Sequence, residues 1–141
     1  MNLYCDTSAI IKLYYPEPES EKLSKWIIEN KIVIPISLFH NVEINNAFAL
    51  KLFRKEITKE QFNQLEKNLN KDISTGIITK IKINWSETLE KSVDLVKQYT
   101  ENIGSRSLDI IHVASALTAG FKYFITFDDR QKNWQLKADW M

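Results

Sequence analysis

Asn2-Leu3-Tyr4-Cys5-Asp6-Thr7-Ser8-Ala9-Ile10-Ile11-Lys12-Leu13 opens with a short, largely apolar run, reaches an acid, and continues with apolar residues at helical spacing. The change of period across Asp6 predicts a strand over Asn2 to Asp6 and a helix over Thr7 to Leu13. The same alternation continues along the chain. Ile32 to Ile36 (IVIPI), Ile77 to Ile83 and Tyr123 to Phe127 read as three further strands. Between them the spacing is helical over Glu19 to Asn30, Ser37 to Phe53, Thr58 to about Ile73, Ser86 to Glu101 and Ser107 to Leu117. Pro16 and Pro18 mark a turn, Thr58-Lys59-Glu60-Gln61 is a capping-box pattern, and Gly76, Gly104 and Gly120 each follow a helical stretch. Strands separated by helices predict a three-layer α/β/α sandwich with a central parallel sheet. The 141 residues suit one domain, taken as 1–141.

Composition narrows the chemistry. The three glycines are too far apart for a dinucleotide-binding G-x-G-x-x-G or a phosphate-binding P-loop. The lone Cys5 excludes an internal disulfide and a zinc site built on several thiolates, and it suits a reducing compartment. No apolar run approaches the ~20 residues of a membrane span, and the start lacks the basic and long apolar regions of a signal peptide, so a cytoplasmic protein with no membrane partner is expected. Nineteen Lys and Arg stand against 18 Asp and Glu, so any nucleic-acid contact must use local patches.

In an open parallel sheet, ligands bind beyond the carboxyl ends of the strands. Asp6 closes the first strand and Asp128 follows the fourth. Either aspartate can also serve as the N-cap of a following helix. Asp109 lies among Leu108, Ile110, Ile111, Val113, Ala114, Ala116 and Leu117, where a carboxylate needs a partner. Arg106 or His112, each three positions away on nearly the same helix face, would serve; otherwise Asp109 faces a functional cavity. Glu43 sits mid-helix among Asn41, Asn45 and Asn46, where a single acid is ordinarily solvated. Brought together, such carboxylates would repel one another unless a cation lay between them. An all-oxygen set of this kind suits Mg²⁺, or Mn²⁺, and hence phosphoryl chemistry.

The residues Asp6-Thr7-Ser8-Ala9-Ile10, Glu43, Ser107 through Leu117 and Ile125-Thr126-Phe127-Asp128 occur in the order and spacing of a known pattern. The chain resembles PIN-domain ribonucleases, and most closely the VapC-like toxins of type II toxin-antitoxin pairs, over essentially its whole length. The resemblance implies a Mg-dependent endoribonuclease with Asp6, Glu43, Asp109 and Asp128 as its four catalytic acids. Asp6, Asp109 and Asp128 would bind metal, and Glu43 would orient water or act as general base. Asp128 is preferred over Asp129 because it directly follows Thr126-Phe127. Ser8 and Thr126 would support the site, while His112 is read as structural. Lys12, Arg106 and Arg130 lie near these acids and are the candidates for binding the phosphates of RNA.

The resemblance also implies a small antitoxin partner and a homodimer. Tyr14, Tyr15, Trp26, Leu52 and Phe53 are apolar candidates for a partner surface, against an ordinary role in the core. The alternative function is a catalytically silent PIN-like module that binds RNA or protein. A haloacid-dehalogenase-like phosphatase is disfavoured because Asp6-Thr7-Ser8 lacks the second aspartate of that family's motif.

Overall fold

The computed structural model describes residues 2–127. In chain order the elements are β1 (Leu3–Cys5), α1 (Thr7–Tyr14), α2 (Ser20–Glu29), β2 (Ile34–Ile36), α3 (Leu38–Phe53), α4 (Lys59–Thr75), β3 (Ile78–Lys80), α5 (Trp85–Leu95), a π-helical turn (Val96–Thr100), the single turn α6 (Glu101–Ile103), α7 (Ser107–Thr118) and β4 (Tyr123–Ile125). The chain divides into two compact units, residues 7–81 and residues 2–6 with 82 onward.

In the unit of residues 7–81, β2 pairs in parallel with β3, Ile34 opposite Ile78 and Ile36 opposite Lys80. Pro35 is tolerated within β2 because the ladder uses its neighbours. Ile34 N–H donates to the Ile77 carbonyl at 3.1 Å, and the Ile36 carbonyl accepts from Ile81 N–H at 2.9 Å. The N–H that proline lacks would point away from β3. Helix α1 packs on α2, α3 and α4, and Ile10, Ile44 and Phe48 are wholly buried. The Tyr14 hydroxyl donates to Asp72 Oδ2 at 2.6 Å, tying α1 to α4.

The expected capping box forms as read. Gln61 N–H donates to Thr58 Oγ1, Thr58 N–H donates to Gln61 Oε1, and Gly76 ends α4 at φ 83°. A second box was not legible. Ser37 caps α3 with His40 in the place usually held by Glu or Gln, and Ser37 N–H donates to His40 Nδ1 at 3.0 Å. Four helix starts differ from expectation by one residue, those of α3 and α4 because Ser37 and Thr58 stand outside their helices as N-caps. Glu19, at φ 123°, cannot belong to a helix, so α2 begins at Ser20. Asn84 accepts from Glu87 N–H and starts α5 at Trp85 rather than at Ser86.

In the unit of residues 2–6 and 82 onward, β1 pairs in parallel with β4, with Leu3, Tyr4 and Cys5 opposite Tyr123, Phe124 and Ile125. Both strand pairs are parallel, as the strand–helix alternation predicts. Leu95, Ile110, Val113 and Ala114 form an apolar cluster, flanked by Tyr99, Ile103, Leu117 and Phe124. Helix α5 lies on α7, and the Thr88 and Thr118 hydroxyls share a hydrogen bond of 2.9 Å between them. The stretch expected as one helix from Ser86 to Glu101 widens into the π turn and closes on Gly104 at φ 70°.

Burial, with Asp6 beside it, pushes the Cys5 thiol up from 9.0 to about 12. Burial and the bond to Asp72 likewise push the Tyr14 phenol up. Each group's folded pKa lies above its unfolded value, so the stability it contributes is whole below the unfolded pKa and is lost as pH rises toward the folded one. Thermal melts in EDTA should therefore show a Tm that falls from about pH 9 upward, with a shallower slope in Cys5→Ala from there and in Tyr14→Phe above about pH 10. Parallel slopes in all three proteins would contradict this account.

Candidate active site

Asp6 is the residue at which β1 ends, and the ladder carries it one step past the strand. Its N–H donates to the Ile125 carbonyl at 3.0 Å, which places Asp6 opposite Thr126. Thr126 Oγ1 donates to Asp6 Oδ2 at 2.5 Å, the short length typical of a hydroxyl on a carboxylate. Both residues are buried, Asp6 at 1% exposure. Taking a carboxylate out of water is costly unless hydrogen bonds or a cation compensate. The hydroxyl expected to support the site thus bonds directly to its first acid.

Asp109 occupies the first turn of α7, where the unpaired N–H groups of the helix end favour an anion. Arg106 Nε donates to Asp109 Oδ2 at 3.1 Å. Of the two partners the sequence offered, it is Arg106 that pairs with the acid; His112 turns instead to Tyr4, its Nδ1 2.6 Å from the phenolic oxygen. The Arg106 side chain is 65% exposed and that of Asp109 only 12%, so the guanidinium caps the acid from the solvent side. Such a pair exchanges readily with solvent.

In the unit of residues 7–81, Thr7 Oγ1 donates to Glu43 Oε1 at 2.7 Å and fixes the direction of a half-buried acid in mid-α3. The Asp6-Thr7-Ser8 motif by itself assigns Thr7 no role, since nothing in a linear pattern shows a bond spanning 36 positions. Ser8 is half-buried in the first turn of α1. Lys12 Nζ lies 3.0 Å from Glu17 Oε2 with its side chain 13% exposed, an ion pair not foreseen for a phosphate-binding residue. Asp128, Asp129 and Arg130 lie outside the described residues.

Of the expected partner-surface residues, Phe53 is 82% exposed. Tyr14, Tyr15, Trp26 and Leu52 are half-buried, with Tyr14 committed to Asp72 and the Tyr15 ring lying beneath Lys51 Nζ at 3.8 Å. Among the described residues no helix is long and apolar enough to cross a membrane.

Removing the Thr126 hydroxyl leaves a buried carboxylate one donor short. Thr126→Val, nearly the same shape, should lower the unfolding free energy by about 1–3 kcal/mol in urea titrations at neutral pH. The loss should shrink at a pH low enough to protonate Asp6. An unchanged urea midpoint would show that the bond contributes nothing to stability.

Comparison with known proteins agrees with this architecture. No curated protein matches the chain. Among solved structures, the chain is similar to VapC20 of Mycobacterium tuberculosis, a sarcin-ricin loop cleaving toxin, with a TM-score of 0.66 and 13% identity over 94% of each chain. At that identity the likeness speaks for the fold. The sequence model of the PIN domain matches residues 3–135, through both compact units and across β1, α3, α7 and β4. The chain belongs to the PIN domain family.

Proposed function

We propose that this PIN domain is a metal-dependent endoribonuclease, the toxin of a type II toxin-antitoxin pair acting in the cytoplasm. The observation that carries the reading is the buried Asp6 carboxylate, held at the end of β1 by the Thr126 hydroxyl, in a chain of the PIN family. The toxin of like fold is a sarcin-ricin loop cleaving one, which supports a loop or single strand as substrate form.

The donors are of the right kind for Mg²⁺ or Mn²⁺. Asp6 and Asp109 are buried carboxylates in one unit, hard oxygen ligands of the type these ions prefer. Among the described residues no group of three or more His, Cys, Asp or Glu is placed to hold an ion; the third carboxylate of this reading is Asp128, which lies outside them. When bound, the ion supplies Lewis acidity toward the phosphoryl oxygens and makes its coordinated water acidic near neutral pH. The protein's part is to hold Asp6 through Thr126 and Asp109 through Arg106. Glu43, aimed by Thr7, takes a proton from the attacking water. Ser8 supports the turn after Asp6. RNA phosphates meet Arg106 and Arg130, and Lys12 where it gives up Glu17. A homodimer and a small antitoxin docking near Phe53 complete the reading; a short gene adjacent to this one is the expected source of the antitoxin.

RNA incubated with the purified protein should be cut in Mg²⁺ and left intact in EDTA. Asp6→Asn and Asp109→Asn should fall to background, and Glu43→Gln should slow cleavage by about 10²–10⁴-fold. RNA binding with no metal-dependent cleavage would favour the silent module instead. Wild-type rates in the two aspartate variants would remove these residues from the site.

A further inference from the structure

We propose that the hydrogen bond between Tyr4 and His112 is a positioning device that sets Asp6 against Asp109 for the metal, a role resting on the nuclease reading above. The Tyr4 hydroxyl and His112 Nδ1 are 2.6 Å apart, and the two residues are 0% and 2% exposed. Rings hold the tyrosine on three sides: Phe124 stacked at 5.4 Å, Phe121 edge-on at 5.7 Å and His112 edge-on at 5.8 Å. Phenylalanine would satisfy that packing. A hydroxyl buried there costs stability unless it is bonded, so what the tyrosine adds is a directional contact with one turn of α7.

That contact sits close to both acids. Side chains alternate along a strand, so Asp6 shares a face with Tyr4; residues three apart share a face of a helix, so Asp109 shares one with His112. Only residues 119–122 join α7 to β4, and β4 is parallel to β1, so α7 runs antiparallel to β1. The two steps to Asp6, about 6.6 Å at 3.3 Å per strand residue, therefore go the same way as the three steps back to Asp109, about 4.5 Å at 1.5 Å per helical residue. Both carboxylates are carried to one end of the β1–α7 pair. Apolar contacts between a strand and a helix permit sliding and rotation, whereas a hydrogen bond at 2.6 Å does not. Partners behind metal ligands fix ligand direction in the same manner.

The test is Mn²⁺ binding, followed by calorimetry and by the loss of the free Mn²⁺ resonance, with urea midpoints measured in EDTA alongside. Tyr4→Phe should raise the Mn²⁺ concentration at half-saturation by about 10-fold or more, with the Mg²⁺ requirement for RNA cleavage rising in step. His112→Ala should do the same, and His112→Asn, whose amide oxygen occupies the Nδ1 position, should restore binding. Thr88→Val removes the hydroxyl bond by which α5 holds Thr118, at the end of α7 opposite Asp109, and should lower the urea midpoint while leaving half-saturation unchanged. Should His112→Ala not fold, Tyr4→Phe decides. Wild-type half-saturation in Tyr4→Phe overturns the positioning role and leaves the nuclease reading standing; no Mn²⁺ uptake by the wild type overturns both.

Discussion

The parallel pairing of β1 with β4 is the constraint on which the rest depends. It joins residues 3–5 to residues 123–125, so its closure carries the entropy of a loop that spans nearly all the described chain. A three-residue ladder cannot offset that entropy by its own hydrogen bonds. The apolar cluster of Leu95, Ile110, Val113 and Ala114, with Phe124 beside it, supplies the burial that holds β4 in place. The order of Asp6 therefore depends on this long-range pairing, since its N–H and its carboxylate are both bonded to residues of the β4 segment.

The same pairing explains why the acids can be where they are. Asp6 is buried at a strand end and Asp109 in a helical first turn, two places where backbone N–H groups and local hydroxyls compensate an anion. Each has a visible polar partner, Thr126 for one and Arg106 for the other. Each buried carboxylate is thus compensated by a donor of its own, a hydroxyl on the neighbouring strand for Asp6 and a guanidinium one helical turn away for Asp109. Stability alone would be better served by apolar side chains there.

Much of the architecture was legible because it rests on local rules. The Thr58–Gln61 capping box, the glycine after α4 and the strand–helix alternation each depend on residues a few positions apart. The departures are local too: Glu19 has a backbone angle no pattern reveals, and His40 plays a part in a capping box usually given to Glu or Gln. Asp6 and Asp109 were visible as acids in apolar company, whereas Glu43, among three asparagines, was not. Their partners were less so: Thr7 on Glu43, Glu17 on Lys12 and Tyr4 on His112 carry no periodic signal.

By itself the sequence determined that Asp6 would end a strand and that Asp109 would lie on a largely buried helix, since hydrophobic period alone decides which positions leave water. It also favoured a hard-oxygen character for any metal set, because the chain has one cysteine and two histidines far apart in sequence. Only the tertiary structure decided which hydroxyl serves which acid, that Arg106 and not His112 pairs with Asp109, and that Lys12 is taken up by Glu17. Such choices turn on ångström distances between side chains, up to 120 positions apart for Thr126 and Asp6, and those distances are set by strand pairing and by packing within each unit.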